Sequence, residues 1–162
     1  MAGPISVERV WAELGEIVDP EIPVVSLVEL GVIREVDVRE DRVRVALRPT
    51  FAGCPALHVM RAQIGERLRA LGAAEVEVEI VLDPPWSTDD IAPEARPKLA
   101  AFGLAPAPSP VIVLEEILTA PRACPRCGSV DTVLRNDFGP TPCRMIHYCR
   151  ACLQPFEAMK PV

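Results

Sequence analysis

Cys124-Pro125-Arg126-Cys127 and Cys149-Arg150-Ala151-Cys152, two Cys-x-x-Cys pairs with 21 residues between them, decide the reading of the C-terminal quarter of this 162-residue chain. Two residues between cysteines let a tight turn aim both sulfurs at one ion. Two such turns on adjacent hairpins complete a tetrahedral shell of four sulfurs. The segment has few apolar residues of its own, and below about 40 residues a domain usually needs a metal or disulfides to fold. The spacing therefore predicts a zinc-ribbon-like module over 122–162, with structural zinc on Cys124, Cys127, Cys149 and Cys152. Iron–sulfur clusters are also held by four thiolates, so spacing alone leaves the metal open.

Cys143 is a fifth sulfur, six residues before Cys149 with His147 between them. It is either an alternative metal ligand or a small buried side chain, as free cysteines often are. Disulfides explain the set less well. Met1 to Ile5 lacks the basic and long apolar regions of a secretory signal. A cytoplasmic chain, which is the expectation here, keeps its thiols reduced or metal-bound.

Working outward from the cysteines, Leu104-Ala105-Pro106-Ala107-Pro108-Ser109-Pro110 reads as an extended, semi-rigid linker. It separates the ribbon from a main domain over 1–103, the linker running over 104–121. The stretch 111–121 is ambiguous: Val111 to Leu114 suits a strand, whereas Glu115, Glu116 and Ile117 suit a helical turn. No apolar run approaches 18 residues, so a soluble protein with no membrane span is expected.

The main domain alternates element types. Ser6 can cap a helix over 7–18, with Val7, Val10, Trp11, Leu14, Ile17 and Val18 at helical spacing. The prolines of Asp19-Pro20-Glu21-Ile22-Pro23 end it. Strands follow over 32–38 and 42–48, around a tip at Arg39-Glu40-Asp41. A helix over 56–70 carries Leu57, Met60, Ile64 and Leu68 on one face, with Gly72 as its terminator. Glu75 to Leu82 alternates again, and a short helix is expected near 93–102. The class is α+β, a three-stranded sheet with packed helices in the order α-β-β-α-β, followed by the metal-stabilised module.

Charge is uneven. Residues 122–162 hold six Lys/Arg against three Asp/Glu, and residues 1–121 hold 11 against 20. An acidic main domain argues against broad nucleic-acid binding, which needs clustered basic residues to neutralise phosphates. No Ser-His-Asp set, glycine-rich phosphate loop or His-Glu-x-x-His is present, so direct catalysis is not expected.

A second chemical site centres on Cys54. Pro55 suits the first helical position, which would place Cys54 at the N-cap, where unpaired N–H groups and the helix dipole stabilise a thiolate. The bland reading is a cysteine packed under the helix. Asp19 and Glu21, on a proline-stiffened loop, could ligate iron or zinc, contact a partner, or simply form a turn. His58, one turn beyond Cys54, reads as an exposed helical residue, and Trp86 as a buried one beside capping hydroxyls.

Asp19-Pro20-Glu21-Ile22-Pro23-Val24, Leu30-Gly31-Val32-Ile33, Thr50-Phe51-Ala52-Gly53-Cys54-Pro55 and Leu82-Asp83-Pro84-Pro85-Trp86-Ser87-Thr88 together resemble the small metal–sulfur cluster assembly domain of the SufT and MIP-eighteen-like proteins. The attached ribbon, with Cys143-x5-Cys149-x2-Cys152-x2-Pro155-Phe156-Glu157 and Lys160, makes the whole similar to the PaaD family, accessory proteins of the phenylacetate-degradation oxygenase system. The resemblance implies an assembly domain whose reactive cysteine corresponds to Cys54. It also implies a non-enzymatic role in maturing or supporting the multicomponent phenylacetyl-CoA epoxidase. The partners would be its diiron oxygenase and its reductase, which carries an iron–sulfur cluster and flavin. Cys54, helped by Asp19 or Glu21, would transiently hold a cluster or iron. The alternative is an interaction protein that stabilises the oxygenase complex without metal transfer. Homo-oligomerisation stays open.

Overall fold

The computed structural model describes residues 5–106 and 120–160, which divide after Trp86 into two compact units. In the first, helix α1 spans Val7–Gly15. The Ser6 hydroxyl accepts from the Arg9 N–H at 3.3 Å, as its position before the apolar periodicity requires. Val10, Leu14 and Ile17 face the core, whereas Val7 and Val18 stay exposed. The helix ends earlier than the expected residue 18. Glu16 closes it on Glu13 and Leu14, and Val18 leaves to form an antiparallel bridge with Ser26.

Strands β1 (Ile33–Arg39) and β2 (Arg42–Leu47) form an antiparallel hairpin. Helix α2 (Leu57–Leu71) then returns the chain so that β3 (Glu75–Ile80) pairs parallel to β2. Gly72 takes φ 116° at the end of α2, a left-handed turn that favours glycine. The sheet order is β1-β2-β3. Alternation along the strands sorts the two faces. Val43, Val45 and Leu47 are buried with Met60, Ile64 and Leu68 of α2, while Arg42 and Arg44 point outward. The α-β-β-α-β reading is thus the observed fold of this unit. Trp86 closes it, buried, with its indole Nε1–H donating to the Leu30 carbonyl at 2.9 Å.

The second unit begins with a 3₁₀ turn at Thr88–Asp90. The Ser87 N–H donates to the Asp90 carboxylate at 2.7 Å, and the Ser87 hydroxyl accepts from the Asp89 N–H. Helix α3 follows over Ala95–Phe102, then β4 (Leu104–Ala105), β5 (Thr132–Asn136), β6 (Arg144–Cys149) and β7 (Gln154–Met159). The sheet order is β4-β7-β6-β5, with β4 parallel to β7 and the other pairs antiparallel. Two expectations change here. Leu104 and Ala105, assigned from their neighbouring prolines to a linker over 104–121, are a strand of the ribbon's sheet, since their backbone pairs with Glu157 and Ala158. Helix α3, placed by sequence within the 1–103 domain, lies in this second compact unit. Of the ambiguous stretch 111–121, all but the last two residues lie outside the described residues.

Candidate metal centre

The two cysteine knuckles converge. Cys124 and Cys127 stand before β5, Cys149 ends β6, and Cys152 lies in the turn between β6 and β7. The antiparallel β5–β6–β7 pairing brings these turns to one end of the sheet. In the first knuckle the Gly128 N–H donates to the Cys124 carbonyl at 2.8 Å, with Gly128 at φ 74°. In the second, Leu153 takes the corresponding position after the last cysteine, at φ 59°.

The four Sγ atoms all lie within 4.8 Å of one another. Cys124 and Cys152 are 3.7 Å apart, Cys127 and Cys149 3.6 Å. A tetrahedron with metal–sulfur bonds of about 2.3 Å has edges of about 3.8 Å, so the donor set fits one tetrahedral ion. A multi-iron cluster, whose cysteines bind different irons, would spread them further. The thiols differ in acidity. Cys149 is lowered to about 7, chiefly by the backbone N–H of Cys152. Cys152 is pushed up to about 12, first by burial and then by the neighbouring cysteines. Sulfurs this close resist successive ionisation, and a dication at their centre reverses that preference by pairing with every thiolate.

Cys143 is not part of this group. It is half-buried, its sulfur 3.2 Å from the Thr141 hydroxyl, and its carbonyl accepts from the Lys160 N–H at 2.8 Å. His147 is buried on the core face of β6, its ring stacked on Phe156 and its Nε2 3.2 Å from the Met145 sulfur. Burial, and secondarily the Arg122 guanidinium, push the imidazole down to about 4, which keeps it neutral at pH 7. Arg122 is itself 2 % exposed, and among the described residues its guanidinium nitrogens have no hydrogen-bond partner. Its backbone is held instead. The Arg122 N–H donates to the Thr132 hydroxyl at 2.9 Å, and that hydroxyl donates to the Arg122 carbonyl at 2.7 Å. Nothing in the sequence pattern marks this burial, because Arg122 sits outside any apolar period.

In the first unit the expected second site is rearranged. The N-cap of α2 is Ala56, without a side-chain cap. Cys54 instead lies in a preceding turn, where its N–H donates to the Phe51 carbonyl at 3.0 Å and its carbonyl accepts from the Leu57 N–H at 3.3 Å. The proline signal placed the helix start two residues too early. Cys54 remains partly accessible, between the exposed Phe51–Gly53 and Pro55. Asp19 is buried, and its Oδ1 accepts the N–H groups of Glu21 and Ile22, each at 2.8 Å. This carboxylate stiffens its own proline loop. Among the described residues, no group of three or more potential ligands includes Cys54, Asp19 or Glu21. His58 is exposed, as expected.

An assembly-type α+β domain joined to a four-cysteine β ribbon defines a recognisable class. Residues 7–80 match the family model described as iron–sulfur cluster assembly protein, and residues 111–160 match the PaaD zinc beta ribbon domain. The chain belongs to the PaaD family. It is 37 % identical, over 97 % of its length and 94 % of the relative's, to an Escherichia coli protein named as a putative subunit of 1,2-phenylacetyl-CoA epoxidase. It is also 32 % identical, over 55 % of its length and 88 % of the relative's, to the Bacillus subtilis Fe-S protein maturation auxiliary factor YitW. Two solved structures share the fold of the assembly domain. A conserved hypothetical protein from Thermotoga maritima matches with TM-score 0.53 and 28 % identity, over 61 % of this chain and 98 % of that one. A domain of unknown function, DUF59, from Bacillus anthracis matches with TM-score 0.51 and 27 % identity, over 54 % and 85 %.

Proposed function

We propose that this protein is a non-catalytic maturation factor of a multicomponent phenylacetyl-CoA epoxidase, assisting assembly of an iron–sulfur or iron cofactor. The observation that carries the reading is the similarity to the E. coli epoxidase protein across 97 % of the chain, both modules included. The relation of the first unit to a B. subtilis factor named for Fe–S protein maturation supports the kind of help given. In this reading the four C-terminal cysteines hold structural zinc, because a closed tetrahedral thiolate shell leaves no position for chemistry. The metal in transit, which is cargo, is handled by the first unit at the accessible Cys54, helped by the Asp19–Glu21 loop of the same domain. The ribbon docks the client, either the reductase or the diiron oxygenase.

Replacing Cys54 by Ser in the full chain, co-expressed with the other epoxidase components, tests this. Iron and acid-labile sulfide in the reductase, or iron in the oxygenase, are expected to fall several-fold. Unchanged metallation of both sinks the metal-handling role. The relative's name, which makes it part of the epoxidase, favours a second reading, in which the protein stabilises the oxygenase complex by binding alone. That reading expects stoichiometric co-purification and indifference to Cys54→Ser.

A further inference from the structure

One face of the ribbon sheet is unlike the other. Alternation puts Met145, Cys149, Phe156 and Ala158 in the core. Their neighbours Arg144, Ile146, Pro155 and Glu157 therefore share the opposite face, in register across β6 and β7. There they meet the end of α3 and the first cysteine knuckle around a groove of about 410 Å³. Among the described residues its apolar lining comes from Phe102, Ile146 and Pro155, backed by the buried Leu104 and Phe156, and its charged rim from Arg126 and Arg144. Phe102 is 43 % exposed. Glu157 also borders the groove, but its carboxylate accepts from Arg144 at 2.8 Å. Among the described residues the exposed Arg126 is thus the cation that the groove presents to solvent, Arg144 being buried and engaged with Glu157.

We propose that this groove is the docking site for a partner-protein segment that presents an aliphatic or aromatic side chain next to a carboxylate. The apolar side chain would cover Phe102 and Ile146, and the carboxylate would meet Arg126, whose planar fork suits a bidentate ion pair. A groove of this volume holds one or two side chains. An anchor of this kind, an apolar contact with an arginine at its edge, concentrates binding energy in few residues. The cysteine knuckle fixes the position of Arg126, so metal in the ribbon preorganises the site. The inference rests on the accessory reading above and names the surface it would use.

The test uses the full-length, metal-loaded protein and the purified reductase and oxygenase components of the epoxidase from the same organism. Arg126→Glu and Phe102→Asp are compared with wild type for retention of each component, with zinc content and circular dichroism measured alongside. Each variant should weaken retention of the same component about tenfold, and the salt dependence of binding should be smaller for Arg126→Glu than for wild type. Phe102→Asp lies far in sequence from the cysteines, so it decides the matter if Arg126→Glu loses metal. Wild-type retention by both variants overturns the groove and leaves the accessory reading standing. Failure of wild type to retain either component overturns that reading and the groove with it.

Discussion

At the scale of single residues, the two cysteine knuckles are built alike but finished differently. Gly128 at φ 74° and Leu153 at φ 59° occupy the same place after the second cysteine of each pair. A left-handed conformation costs an ordinary L-residue about 1–2 kcal/mol, and Leu153, 64 % exposed, recovers little of it through burial. Glycine returns roughly 0.5–1 kcal/mol of that gain through its freer unfolded chain. Leu153→Gly should therefore leave stability unchanged or raise it by up to about 1 kcal/mol, while Gly128→Ala should cost about 1 kcal/mol. Denaturant unfolding of the metal-loaded protein measures both. The cysteine spacing was legible because it reports a local geometry that any chain must adopt to bind one ion. The Leu153 turn carried no glycine to mark it. Cys54 was misplaced because a proline before a helix can sit in a turn as readily as in the first helical position. Arg122 is buried by contacts its sequence neighbours do not reveal.

At the scale of elements, the outward face of the first sheet is a lattice of charge. The pairing sets Asp37 and Glu77 on either side of Arg44, and Glu75 beside Arg42. Arg42 meets Glu75 at 2.7 Å, and Arg44 meets Glu79. These exposed pairs contribute little individually, but their order fixes the register against a one-residue slip. Arg44→Glu would face like charges on both neighbouring strands. Opposed like charges on a sheet face are unfavourable, so it should lower the unfolding midpoint of the first unit, a loss that shrinks as salt is added. Thermal unfolding at low and high ionic strength reads both effects. The strands and α2 were legible because Val43, Val45 and Leu47 alternate while Met60, Ile64 and Leu68 recur at helical spacing. Strand β4 was not, since two residues carry no period and their partner in β7 lies some 50 positions onward.

At the scale of the whole molecule, the two units draw their stability from different sources. The first buries a continuous apolar layer between α1, α2 and the sheet, including Val10, Leu14, Val45, Leu47, Ile64 and Leu68. Among the described residues the ribbon's core is the small set Ala105, Cys124, Met145, Cys149, Phe156 and Ala158, with Leu134 and Cys152 packed against it, and three of these eight are cysteines of the four-sulfur group. Structural zinc contributes roughly 10–16 kcal/mol of binding free energy in small zinc domains. Stripping the protein with a strong chelator should therefore abolish the ribbon's unfolding transition and leave that of the first unit in place. Calorimetry before and after metal removal distinguishes this from uniform destabilisation.

Strand β4 gives the ribbon a border that sequence comparison does not draw. The matched ribbon family begins at residue 111, after Leu104 and Ala105 have already paired with β7. A protein trimmed at that inherited limit would leave the outer edge of β7 bare at Glu157 and Ala158, and a bare edge recruits other chains. The heritable unit and the self-protecting unit therefore have different lengths. Any rearrangement of genes that moves this ribbon to a new host must carry those preceding residues too, or find another strand to seal it.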